Sequence, residues 1–298
     1  MITQPTVLVL GAGASADYGY PTGQELKNQV IELLDSLPSD HIRTLIQLGH
    51  RTSEQKAFRD ALAYSGRPSV DAFLEHRQEF TELGKLCTAM ILIQRESIPT
   101  LFSSGSDWYQ YLFQRMNSSF ADFEHNKIAF VMFNYDRSLE QYLSLTLQNS
   151  YGKTEDEVST VLANIKIQHV HGSIGKVPGQ ESTAREYRPT FSPEEIRDAA
   201  EGIRIISEPM QEKESFAPVA DLMPTGSRTI FLGSGFLQAN FQRLNLDLAS
   251  GQNSFIASAH DFTELERKEI EQWFKPSQIV LARRGWKTLQ CLREMISL

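Results

Sequence analysis

The segment Thr6–Leu10 (TVLVL) is apolar at every position and rich in β-branched residues, the pattern of a strand buried on both faces of a parallel sheet. A glycine turn and then a helix are expected after it. From residue 23 to about 116 the pattern changes. GQELKNQVIELLDSL, DHIRTLIQLGH, SEQKAFRDALAYS, VDAFLEHRQEFTELGKLCTAMILIQ and SDWYQYLFQRM carry apolar residues at three- and four-residue spacing with charges between, which predicts amphipathic helices. A minimal connection between parallel strands needs only about a dozen residues, so residues 24–120 read as a helical insertion. Strand-like runs return at residues 127–133 (KIAFVMF), 164–170 (NIKIQHV), 229–232 (TIFL), 254–257 (SFIA) and 277–281 (SQIVL). Helix-like stretches at 137–147, 238–248, 261–274 and 286–295 separate most of them. Such alternation predicts one doubly wound α/β domain over residues 1–298 with a parallel sheet. Residues 172–225 are richer in Gly, Pro, Ser and charge and read as a loop-rich insertion near the site.

Composition narrows the function classes. Of 298 residues, 41% are hydrophobic and 22% charged, which excludes collagen-like and wholly disordered chains. Lys and Arg number 29 against 37 Asp and Glu, and the resulting net charge of −8 argues against direct binding of nucleic acid. Cys87 and Cys291 are too far apart for a zinc module or disulfide framework, which fits a reducing cytoplasm. The opening MITQPTVLVL lacks a basic leader, and no apolar run approaches a membrane span, so neither targeting nor anchoring is expected.

Gly11-Ala12-Gly13-Ala14-Ser15-Ala16 satisfies the dinucleotide pattern G-x-G-x-x-G/A, in which glycines let backbone N–H groups and a helix N-terminus approach a pyrophosphate. A glycine turn used only for packing would read the same way. About twenty residues on, where a dehydrogenase needs an acid for the adenosine ribose, the chain reads as helix (LKNQVIELLDSL), which disfavours hydride transfer.

The longer run from Gly11 to Pro21, GAGASADYGYP, resembles the sirtuin (Sir2) signature G-A-G-x-S-x-x-x-G-x-P. Asn134-Tyr135-Asp136 is similar to the family's T-x-N-x-D block, with Ser138-Leu139-Glu140 following as in bacterial sirtuin-like proteins. His171-Gly172-Ser173-Ile174 is similar to its H-G block, and Gly233-Ser234 to its phosphate and ribose loop. Each follows a predicted strand, in the family's order, at the edge where open α/β sheets bind ligands. The resemblance spans Thr6 to about Leu281 without the helical insertion or the stretch after Gly172. Deacylating sirtuins continue the proline with Asp-Phe-Arg where this chain has Thr22-Gly23-Gln24, and the zinc-binding cysteine quartet is absent. Both losses concern the acyl-lysine substrate.

What the resemblance implies is a Rossmann-like fold without a zinc module and a metal-free NAD+ glycohydrolase, similar to the NAD-depleting effectors of bacterial anti-phage defence. It assigns Asn134, His171 and Asp136 to catalysis. Asn134 would hold the ribose hydroxyls and the attacking water, His171 would act as base or ribose partner, and Asp136 would fix the Asn134 loop or the nicotinamide amide. Gly11, Ala12, Gly13, Ala14, Ser15, Pro21, Gly233 and Ser234 would line the NAD+ site, the amides of Ala12, Gly13 and Ala14 cradling the pyrophosphate with Ser15. Control by homo-oligomerisation and by a separate HerA-type ATPase is expected by the same likeness. Alternatives are a non-catalytic module for NAD+ or ADP-ribose and a zinc-free deacylase or ADP-ribosyltransferase. Read from the residues alone, Asn-x-Asp is also a common helix cap, and Tyr18 and Tyr20 suit packing as well as a nicotinamide pocket. His169 and His171 share one face of an extended strand, which a metal ion could exploit only with a third ligand. Arg283 and Arg284 read as a surface pair, and the run from Glu264 as a solvated helix with Trp273 inward.

Overall fold

Three strands, β1 (Thr6–Leu10), β2 (Ile128–Met132) and β4 (Arg228–Leu232), are buried at all five positions and lie side by side, β1 in the middle. Outside them run β3 (Lys166–His169), next to β2, and β5 (Ser254–Ala257) and β6 (Ile279–Leu281), beyond β4. Every pairing is parallel, in the order β3-β2-β1-β4-β5-β6. The computed structural model describes residues 1–35, 40–181, 184–205, 216–219, 221–222, 228–246, 248 and 253–296.

Alternation along the strands divides the core. Leu8, Leu10, Phe130, Met132, Ile230 and Leu232 point to one face, while Val7, Val9, Ala129, Val131 and Phe231 point to the other. Both faces carry helices, which is why the strands read as uninterrupted apolar runs. The fold is a Rossmann-like, doubly wound α/β sheet.

The connection from β1 to β2 is helical, at Gly23–Asp35, Asp40–Gln47, Thr52–Ala63, Val70–Leu74, Thr81–Ile93, Ile98–Leu101 and Trp108–Met116. Helix Thr81–Ile93 is buried at every position from Leu86 to Ile93, packing on Gly23–Asp35 and on Pro193–Gly202 from the later connection. Its side chains join the Leu8/Leu10 face of the sheet.

The expected turn and helix after β1 both form, with a longer turn than a Rossmann loop needs. The chain leaving β1 first makes two short 3-10 turns, Ala12–Ala14 and Ala16–Tyr18, and the first α-helix starts at Gly23, where the helical pattern begins. Gly19, at φ +88°, breaks the second turn, and Pro21 follows with a fixed φ and no N–H to donate. Strand and helix limits elsewhere differ from the sequence reading by a few residues at each end. Of the loop-rich stretch, residues 182–183, 206–215, 220 and 223–227 lie outside the described residues, as does part of the helix expected at 238–248. Among the described residues no helix is long and apolar enough to cross a membrane.

Candidate functional site

The chain leaves β1 for β2 on one side, while β4 on the other side leads away to β5. The loops after β1 and β4 meet at this switch point of the carboxyl edge, the place where open α/β sheets bind ligands. The glycines allow these two loops to touch backbone to backbone. Gly11 N–H donates to Leu232 O at 3.0 Å, and Gly13 N–H to Gly233 O at 3.1 Å. A Cβ on Gly11 would lie 2.5 Å from Gly233 O; one on Gly233, itself at φ +59°, would lie 2.0 Å from Ala14 N.

The same contacts correct the expected phosphate cradle. Gly13 N–H is spent on Gly233 O and Ala14 N–H on Gly11 O, at 2.9 Å. Of the three amides, only that of Ala12 has no acceptor among the described residues. The glycine turn itself opens a 3-10 helix and not an α-helix, so it presents no α-helix N-terminus to a phosphate. Pro21 is buried, and Ser234 Oγ accepts from Phe236 N–H at 3.2 Å.

Asn134 sits just past β2, where the ladder has ended, and its side chain reaches back to the glycine loop. Its Nδ2 donates to Ser15 Oγ and to Asp136 Oδ2, both at 2.7 Å. The Asp136 carboxylate only accepts, so the amide must present its NH2 edge there. That fixes Oδ1 on the opposite side, where it is buried and has no hydrogen-bond partner. Asp136 also accepts from Ser138 N–H at 3.1 Å and from Ser138 Oγ, which takes the Tyr109 hydroxyl at 2.8 Å. Proton donation thus runs from Tyr109 to Ser138 to Asp136, with Asn134 donating into the same carboxylate.

His171 lies after β3 among aromatic rings: Phe133 at 5.7 Å, and Tyr135 and Phe216 at 6.3 Å. Burial, with Arg243 adding to it against Asp71, lowers its pKa from 6.5, so the ring is neutral at pH 7. His169 turns elsewhere, its Nδ1 to Asn134 O at 3.1 Å and its Nε2 to Glu140 Oε1 at 2.7 Å. The two histidines thus have different surroundings, and among the described residues no three His, Cys, Asp or Glu side chains are placed to hold a metal ion. Tyr18 and Tyr20 are packed and hydrogen-bonded: Tyr18 donates to Asp107 Oδ1 at 2.9 Å and stacks on Tyr109 at 4.0 Å, and the Tyr20 and Tyr187 hydroxyls meet at 2.7 Å. Arg283 lies over the Trp286 ring, and Trp273 is half-buried against Phe241.

Sequence reasoning missed Arg137. It is 1% exposed and spends its guanidinium on Glu96 Oε1 (2.7 Å) and Oε2 (3.0 Å) and on the carbonyls of Lys176, Arg185 (2.8 Å) and Glu186 (2.9 Å). Arg185 adds a second cation to Glu96. This node joins the Asn134 block, the helical connection and the chain after His171. No local signal marks it, since its partners lie about forty residues away on either side. The helical connection touches the site directly elsewhere: Trp108 Nε1 donates to Ala14 O at 2.8 Å, and the Tyr135 hydroxyl donates to Asp71.

Comparison with models of known protein families and with curated proteins gives no match to this chain.

Proposed function

We propose that the chain is an NAD+ glycohydrolase that hydrolyses the nicotinamide N-glycosidic bond to nicotinamide and ADP-ribose. One atom carries the reading: Oδ1 of Asn134, a buried acceptor with no donor, at the sheet edge where open α/β folds bind ligands. A ribose hydroxyl or a water is the donor it lacks. The sirtuin-like motifs at Gly11–Pro21, Asn134–Asp136 and His171–Ile174 support the choice of substrate.

The reaction develops oxocarbenium character at the ribose carbon as the C–N bond breaks and its electron pair leaves with nicotinamide. Water adds its oxygen to that carbon and must lose one proton. Neutral His171 has a lone pair to take it. Asn134 Oδ1 accepts from the hydroxyl or water and orients it, Asp136 and Ser15 hold the amide in that orientation, and Ala12 N–H offers a phosphate donor. Phe133, Tyr135 and Phe216 line the His171 side with apolar surface that excludes bulk water.

The test is incubation of the purified protein with NAD+ and chromatography of nicotinamide and ADP-ribose. Asn134→Ala and His171→Ala should each lower turnover by about 10²–10⁴-fold with the fold retained. An Asn134→Ala protein as active as wild type would remove Asn134 from the mechanism. Tight NAD+ binding without turnover would make the chain a binding module instead. An unregulated NAD+ hydrolase would kill its own cell, so we assign its control to homo-oligomerisation through residues 24–120 and a separate HerA-type ATPase, in a cytoplasmic anti-phage role. A monomer that consumes NAD+ freely would overturn that assignment.

A further inference from the structure

The backbone at Asn134 has lost the support of the sheet. The ladder of β2 stops at Met132, and the Asn134 carbonyl takes its hydrogen bond from a side chain, His169 Nδ1 at 3.1 Å. That ring is gripped from behind by Glu140 Oε1, 2.7 Å from Nε2. The side chains are 10% and 8% exposed, and the second Glu140 oxygen is buried with no hydrogen-bond partner.

We propose that His169 is a positioning residue for Asn134, acting as a doubly protonated clamp between the Glu140 carboxylate and the Asn134 carbonyl. The role rests on the hydrolase reading above. Its protonation follows from the partners: a carbonyl only accepts, so Nδ1 carries a proton, and the buried carboxylate takes the proton of Nε2. A neutral imidazole has one proton for two acceptors. Losing the other proton therefore turns one contact repulsive and either frees the ring from Glu140 or pushes the Asn134 main chain away.

The charges around the ring agree with this state. Burial disfavours its charge, but Glu140, the Asn134 carbonyl and Asp136 together raise the pKa of His169 above 6.5. Burial likewise works against the Glu140 carboxylate, yet His169, with Lys176 beyond, holds its pKa below 4.5. The clamp is therefore lost on the alkaline side, where the general base His171 is already competent.

Two double variants separate positioning from bulk structure. His169→Asn with Glu140→Gln keeps a donor near the Nδ1 position and leaves no buried charge; His169→Leu with Glu140→Gln removes the donor. The first should retain kcat within about threefold of wild type and lose the alkaline limb of its pH profile, while the second should lose about 10²-fold in kcat with KM little changed. Nitrogen-15 spectra of the wild-type imidazoles should show both His169 ring nitrogens protonated at neutral pH, a readout independent of turnover. A singly protonated ring, or equal kcat for the two double variants, would overturn the clamp. If wild type binds NAD+ without cleaving it, calorimetric affinity replaces kcat in the comparison, and equal affinities overturn the clamp in the same way. A wild type that neither binds nor cleaves NAD+ overturns the hydrolase reading, and the role of His169 with it, whatever the spectra show.

Discussion

The unpaired Oδ1 of Asn134 costs the folded chain about 1–3 kcal/mol for as long as nothing donates to it. A ligand hydroxyl that fills it recovers that cost, which makes binding at this point favourable before any chemistry. Asn134→Asp keeps the shape and reverses the electrostatics, setting a second carboxylate against Asp136. The two cannot both ionise at hydrogen-bond distance, so this variant should bind NAD+ more weakly as the pH rises, seen by calorimetry at several pH values. His171 makes a second prediction of the same kind. Because burial lowers its pKa, the acid limb of kcat/KM should fall below pH 6.5, with activity level at neutrality, and His171→Ala should remove that limb. Asn134, Asp136 and Ser15 were legible as motif residues. That one amide would bridge the other two was not, because 119 residues separate Asn134 from Ser15 and only the parallel pairing of β1 with β2 brings them together.

Elements tell a similar story through the glycines. Their pattern was read as room for a phosphate, and much of that room is taken by the neighbouring backbone. Gly233→Ala would force a side chain into a left-handed turn 2.0 Å from Ala14 N, and should cost about 2–4 kcal/mol in denaturant unfolding along with NAD+ binding. Gly235→Ala, which meets nothing within 4 Å, is the control and should leave stability nearly unchanged. The α-helix after β1 starts as late as Gly23 for a local reason, Gly19 followed by Pro21, that was visible in the sequence. The Arg137–Glu96 pair was not visible: an arginine beside a motif reads as a surface charge until its partners are known. Glu96→Gln leaves two buried guanidinium groups short of their counter-charge and should destabilise by about 3–5 kcal/mol, checked by urea unfolding. Replacing Arg137, Glu96 and Arg185 together by apolar residues of similar volume should recover part of that loss.

The molecule as a whole should be most stable near pH 6.5. His169, raised in the folded state, contributes stability that is complete below 6.5 and is lost as the pH climbs through its raised value; Glu140, lowered, contributes above 4.5 and loses it as the pH falls. His171, lowered by burial, contributes above 6.5 and loses it on the acid side. Thermal unfolding across pH should show this maximum, and His171→Ala should flatten its acid shoulder. Fold class was legible because a doubly wound sheet writes each buried strand as an apolar run. The linkage of the helical connection to the site through Trp108, Asp71 and Glu96 was not, since amphipathic periodicity says which face is buried and not against what. The strand order has a temporal side as well. β1 is flanked by β2 and by β4, whose first residue follows that of β1 by 222 positions, and at a synthesis rate of about 5–20 residues per second it waits roughly 10–45 s on the ribosome for that second neighbour. Until Gly233 emerges there is nothing to close the glycine loop, and every shorter nascent chain lacks the contact between the two loops. On the proposed function, no partly made chain has the site with which to hydrolyse NAD+.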